Sequence, residues 1–273
     1  MTKSFFFDAG LPRSGSTALT AILNQNPQVH AGPLSPAFEL MYTTETFFSL
    51  NEQANAYPKP QCNHKIISSV LENYYSDTTK PVVIDKSRGW LGQIPFIRKY
   101  ITPNPKIICT VRHPLDILAS FIDLIHKSKG EVSFLDKALI DQRIPISDDN
   151  RCDFLMSHSG VVFNSINGLA KAFHEGDKNC IHLIEYDDLV KDPQGELNKI
   201  YQFLELEPYS HTFDKIENQH RERDTEIYGL SSMHELKSKI EKTNRSYGDV
   251  LSERIISKYK DLDFWNSSKY KKG

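Results

Sequence analysis

The stretch FFFDAGLPRSGSTALTAILNQNP, Phe5 to Pro27, decides the fold. It opens as an uninterrupted apolar run of strand length and passes through a polar turn holding Pro12, Arg13 and Gly15. It then takes up helical spacing at Ala18, Leu19, Ile22 and Leu23, which Asn26 and Pro27 end. Strand, tight turn and helix gather backbone N–H groups at a helix start, which is a site for an oxyanion. Ser14, Ser16 and Thr17 add hydroxyl donors there and Arg13 adds charge. The turn has no lysine, whereas the loop G-x-x-x-x-G-K-[ST], which grips a diphosphate together with magnesium, requires one.

Three more runs read as strands: VVIDKS from Val82, KIICTVR from Lys106 and IHLIEY from Ile181. Their apolarity is continuous rather than alternating, as for strands buried on both faces. Helical patterns separate them, which predicts an α/β fold of three layers around a central parallel sheet. A second well-signalled helix follows Val111-Arg112-His113, with Pro114 at its first position, Asp116 in its first turn, and Leu115, Leu118, Ala119, Ile122 and Ile125 as an apolar stripe. A third carries Leu197, Ile200, Tyr201 and Leu204. The expected organisation is one domain over 1–273, with helical insertions at about 35–80 and 126–176 and a charged, mobile, partly helical closing segment from Glu217 to Arg254.

With 273 residues, 39% of them hydrophobic, the chain has the composition of an ordinary globular protein, and a formal charge of -2 gives no global basic field for nucleic acid or a membrane surface. Cys62, Cys109, Cys152 and Cys180 are scattered without a C-x-x-C pair, so reduced, structural cysteines are expected. No apolar run approaches the ~18 residues of a membrane span. A soluble, cytoplasmic protein is the expectation.

Two further elements bear on the anion site. IDKSR places Lys86 at the carboxyl end of a predicted parallel strand, the edge where ligands bind in open α/β sheets. Arg112 ends another strand, and Ser120 lies eight residues on, away from the apolar stripe of its helix, so that the pair could share a phosphate monoester. Taken alone, Lys86 reads as a solvated strand-end lysine and Ser120 as a helix serine bonded back to its own backbone.

Together these segments resemble the sulfotransferases that use 3'-phosphoadenylyl sulfate (PAPS), closest in motif to the bacterial and tyrosylprotein branches. LPRSGST, Leu11 to Thr17, is similar to the family's 5'-phosphosulfate loop, and VRHPLDILAS, Val111 to Ser120, to its 3'-phosphate motif. IEYDDLVKDP, Ile184 to Pro193, is similar to the segment whose tyrosine lies near the adenosine, and GLSSMHELKSKI, Gly229 to Ile240, to the late loop that closes on the nucleotide. The resemblance implies a P-loop NTPase-like sulfotransferase fold. It implies that Arg13, Ser14, Gly15, Ser16 and Thr17 hold the 5'-phosphosulfate, Arg112 and Ser120 the 3'-phosphate, and that Tyr186, Ser231, Lys237 and Lys239 contact the nucleotide. No metal is expected, because no β,γ-diphosphate has to be bridged.

By the same resemblance Lys86 would stabilise the leaving group, with Arg13 assisting. The tyrosylprotein branch carries a glutamate shortly after the first helix, where Leu34 stands here. Glu39 is the preferred base, with His30 and Asp85 as alternatives. The aromatic set Phe38, Tyr42, Phe47 and Phe48 reads either as an acceptor pocket or as core packing. The expected reaction is sulfuryl transfer to a hydroxyl of a carbohydrate, lipid or small-molecule alcohol, releasing adenosine 3',5'-bisphosphate (PAP). A phosphate-loop kinase and a non-catalytic nucleotide-binding protein are the alternatives.

Overall fold

The computed structural model describes residues 3–128, 132–217, 223–236, 238–239 and 246–267. Its centre is a sheet of five parallel strands, β1 (Ser4–Asp8), β2 (Val29–Leu34), β3 (Val82–Lys86), β4 (Ile107–Val111) and β5 (Ile181–Glu185), in the order β2-β3-β1-β4-β5. Helix α1 (Ser16–Leu23) links β1 to β2. Between β2 and β3 come α2 (Ala37–Leu50), α3 (Glu52–Ala56) and α4 (Pro60–Tyr74). A 3-10 turn (Arg88–Gln93) and α5 (Ile94–Tyr100) lead to β4. Four helices, α6 (Pro114–Lys127), α7 (Phe134–Asp141), α8 (Asp148–Leu155) and α9 (Val161–His174), lead on to β5. After β5 the described helices are α10 (Tyr186–Lys191), α11 (Pro193–Leu204), α12 (Asp224–Tyr228) and α13 (Glu253–Tyr259).

Strand residues alternate between two apolar cores, which makes the three expected layers. Phe7, Val83, Ile107, Cys109 and Val111 join the larger core with α2, α4 to α9 and α13. Val82, Ile84, Ile108 and Ile184 point the other way, against Leu19, Ile22 and Leu23 of α1 and Leu197, Ile200 and Leu204 of α11. Helix α6 is buried beyond its expected stripe, because Ile117, Phe121 and Leu124 are also enclosed by neighbouring helices.

Strand β2 is the element the sequence conceals. Its residues VHAGPL contain Gly32 and Pro33, and its pairing with β3 is irregular between Ala31 and Leu34. An edge strand tolerates proline because one side of it has no ladder to complete. All four cysteines are free, with Cys109 and Cys152 buried and Cys62 exposed. Among the described residues no helix is long and apolar enough to cross a membrane.

The strand order sets up the site. With β1 central, the loop after it is flanked by the end of β3 on one side and the end of β4 on the other, so Lys86 and Arg112 are delivered to opposite sides of one turn.

Candidate active site

The loop from Gly10 to Gly15 is held from below. A Cβ at Gly10 would lie 2.2 Å from Thr110 Oγ1, so only glycine lets the loop settle on β4. Ser14 is fully buried, and its hydroxyl donates to the Leu11 carbonyl at 2.5 Å and lies 2.6 Å from Thr110 Oγ1. This corrects one expectation: the Ser14 side chain braces the loop and does not line the cleft above it, leaving its backbone N–H as its means of holding an anion. Gly15 caps α1 with φ of 91°, and a Cβ there would meet the Tyr186 ring at 3.1 Å. The left-handed turn and the close ring together demand glycine.

Above the loop lies a cavity of about 230 Å³, lined by Arg13, Gly15, Ser16, Thr17, Lys86, Arg112, Ser120, Tyr186 and Lys239, all sequence candidates. Lys86, 6% exposed, donates from Nζ to Thr17 Oγ1 at 3.2 Å, so a lysine from the neighbouring strand occupies the loop that lacks its own. On the other side Arg13 Nε donates to Ser120 Oγ at 3.1 Å, and another guanidinium N–H of Arg13 donates to the Met233 carbonyl. Arg112 donates to the Arg13 carbonyl at 3.2 Å and its guanidinium stacks 4.4 Å from the Tyr186 ring centre. That stacking fixes the arginine without using its charge on a carboxylate. Burial, with the nearby Arg112 cation, holds the Arg13 guanidinium below the usual arginine range.

A second cavity of about 580 Å³ shares Arg13, Arg112 and Ser120 with the first and continues past Asp116, Lys127 and Ser231. Ser231 is tied to α6, its backbone N–H donating to Ser128 Oγ at 3.0 Å. Lys239 also lies 4.0 Å from Asp214. Lys237 falls outside the described residues. Of the expected closing segment, residues 217, 223–236, 238–239 and 246–254 are described, and they bring four lining residues that sequence reasoning passed over: Met233, His234, Glu235 and Leu236. His234 is held by Asp224, its Nδ1 2.7 Å from Oδ1. Arg88, at the start of the 3-10 turn, is a further cation in the lining. Its signal was present in IDKSR, two residues after Lys86.

None of the three base candidates, Glu39, His30 and Asp85, lines the cavity. Asp85 is fully buried on the sheet face opposite Lys86, and its carboxylate accepts from Tyr75 Oη at 2.6 Å, Trp90 Nε1 at 2.6 Å and the Ser35 hydroxyl. It braces the core and is withdrawn as a base. Burial outweighs those donors and raises its carboxyl above the usual range. His30 packs edge-on against Tyr75 with ring centres 5.3 Å apart and does not line the cavity. Glu39 sits exposed in the first turn of α2, with Ser87 Oγ 3.4 Å from its Oε1, one residue beyond Lys86. Leu34 lines the cavity. Phe38 belongs to the core, its ring 4.9 Å from that of Trp90, while Phe47 is exposed on the surface; neither they nor Tyr42 and Phe48 line the cavity. Among the described residues no group of three His, Cys, Asp or Glu is placed to hold a metal ion.

Comparison with known proteins places the chain in a family and a fold. Residues 6–211 match the model of the sulfotransferase family. Protein-tyrosine sulfotransferase A of Caenorhabditis elegans is 19% identical over 212 residues, covering 75% of this chain and 50% of that protein, so the chain spans about half the length of the curated relative it matches. The sulfotransferase domain from the curacin biosynthetic pathway superposes with a TM-score of 0.54 at 17% identity, covering 94% of this chain and 97% of that one. A sulfotransferase from Mycobacterium avium gives 0.53 at 12% identity, covering 97% and 78%. The sulfotransferase domain of the Synechococcus PCC 7002 olefin synthase gives 0.51 at 17%, covering 87% and 84%. At these identities the superpositions establish a shared fold.

Proposed function

The chain belongs to the sulfotransferase family, and on that premise we propose that its cleft binds PAPS, transfers the sulfuryl group to a hydroxyl acceptor and releases PAP. The observation that carries the reading is the joining of two anion sites into one cleft. The loop and Lys86 form one end, Arg112 and Ser120 the other, and Arg13 bonds across between them. A nucleotide with anionic groups at both its 5' and 3' positions matches that spread of donors, and the missing Cβ at Gly15 lets the Tyr186 ring pack directly against the loop.

In this reading the N–H groups of the loop, with Ser16, Thr17 and Arg13, hold the 5' end, and Arg112 and Ser120 hold the 3'-phosphate. Tyr186, Ser231 and Lys239 bound the nucleotide between them, and Lys237 belongs to the same closing segment. When bound, the donor supplies a sulfuryl group whose bond to a phosphate oxygen breaks as the acceptor oxygen takes it, so that charge gathers on the phosphate oxygen. Lys86 and Arg13 are the cations positioned at the loop to stabilise that charge. Glu39, beside Ser87, takes the acceptor's proton. No resident metal is part of this scheme.

Leu34, apolar where the tyrosylprotein branch carries a glutamate, turns the acceptor assignment toward a carbohydrate, lipid or small-molecule alcohol. The test is incubation with sulfur-labelled PAPS and a panel of such alcohols in chelator. Label in an acceptor with stoichiometric PAP supports the proposal. Magnesium-dependent transfer of phosphate from ATP, with PAPS left intact, contradicts it.

A further inference from the structure

Asp8 is a charged residue buried at the centre of the molecule that the scheme above leaves without a role. It ends β1 directly opposite Lys86 of β3, on the same sheet face, and is 1% exposed. Its Oδ1 accepts the Gly10 N–H at 3.2 Å, on the floor of the loop, while its Oδ2 is buried with no hydrogen-bond partner. The charges acting on it are Lys86 from β3, Arg88 from the 3-10 turn and Asp85 from the opposite sheet face; the buried Cys109 thiol on β4 is coupled to it. A half-satisfied carboxylate in such a place calls for a reason.

We propose that Asp8 is a positioning residue for Lys86: it compensates the lysine while the loop is empty and takes up a proton when the anionic donor enters. This rests on the donor assignment made above. Burial, against the opposing pull of Lys86 and Arg88, raises the Asp8 carboxyl to about 6, so it is largely ionised at neutral pH. An anion in the loop occupies the same cations and adds negative potential of its own, and both effects favour the protonated acid. The proton arriving at Asp8 removes the lysine's internal counter-charge and leaves its field directed at the ligand. By linkage a proton on Asp8 favours donor binding as much as the donor favours that proton.

The experiment is calorimetric titration of the full chain and Asp8→Asn with PAP in chelator, between pH 6.5 and 8.5, in buffers of different ionisation enthalpy. The chain with Asp8 takes up as much as about one proton more per PAP than the variant, and its affinity falls more steeply with rising pH, by up to about tenfold per pH unit. Protons taken up by PAP's own phosphates contribute equally to both proteins and cancel in the difference. Equal proton uptake by the two proteins, with PAP binding intact, overturns the role of Asp8 alone. Absence of PAP binding by the unaltered protein overturns it together with the donor assignment. If Asp8→Asn does not fold, or it alone fails to bind, the ¹³C shift of the Asp8 carboxyl decides in the unaltered protein: a carboxylate still ionised in the PAP complex at pH 7 contradicts the proposal.

Discussion

Arg13 Nε and Ser120 Oγ meet at 3.1 Å across 107 residues of sequence. Neither residue is held by the other's secondary structure; Arg13 stands in a turn with φ of 58°, and Ser120 lies two turns into α6. Their bond makes the loop after β1 and the helix after β4 a single rim, and a ligand touching one necessarily feels the other.

Ser120→Ala removes one hydroxyl from that rim without disturbing the apolar faces of α6. PAP affinity should fall about 10- to 150-fold, as expected for one hydrogen bond to a charged group. The melting temperature should stay within a few degrees. Calorimetry and a thermal scan check the two halves.

Lys86→Ala takes away the cation at Thr17. The rate of transfer should fall by about 100- to 1,000-fold, by analogy with the loss of an oxyanion donor. PAP binding should change far less. Single-turnover rates set beside equilibrium binding separate the two, and an unchanged rate would remove Lys86 from the chemistry.

Glu39→Gln keeps the size of the side chain and the contact with Ser87. If Glu39 accepts the hydroxyl proton, transfer falls by roughly 10² to 10⁴ with donor binding unaltered. A rate near the original would place the base elsewhere, or show that the acceptor needs none.

Asp8 also makes a statement about stability. Its carboxyl is raised from 3.8 in the ordinary range to about 6 in the folded chain, so ionisation at neutral pH opposes folding. The sign is that of a raised acid: the penalty is full above pH 6 and fades as pH falls toward 4. Asp8→Asn should therefore be more stable than the unaltered protein at pH 7.5, by up to about 3 kcal/mol. That advantage should shrink steadily between pH 6 and 4. Urea unfolding of both proteins at three pH values measures it.

Much of this arrangement is legible in the chain because its signals are local. The apolar runs at Phe5, Val82, Ile107 and Ile181, with the glycine-bearing turn before α1, define a parallel sheet without any knowledge of packing. The eight-residue interval from Arg112 to Ser120 likewise needs only a helix to bring both residues to one cleft. What stayed hidden depends on contacts distant in sequence. Strand β2 has no apolar run of its own and exists because β3 offers it a ladder. Ser14 reads as a ligand hydroxyl until Thr110 arrives beneath it from β4. Asp85 reads as a base until Tyr75, Trp90 and Ser35 close around it. His234 and Met233 reach the cleft through the fold of a charged segment that has no periodicity to read.

In the proposed function one cleft recognises both ends of an adenosine 3',5'-bisphosphate without a metal ion. Calorimetric titration of PAP against adenosine 5'-monophosphate, in chelator, for the unaltered protein and Arg112→Ala, puts this to the test. A strong preference for PAP is expected, which Arg112→Ala reduces by about 10- to 100-fold, the loss of a charge-assisted contact, with monophosphate binding little changed. Equal affinity for the two nucleotides, or a PAP preference indifferent to Arg112, would contradict it.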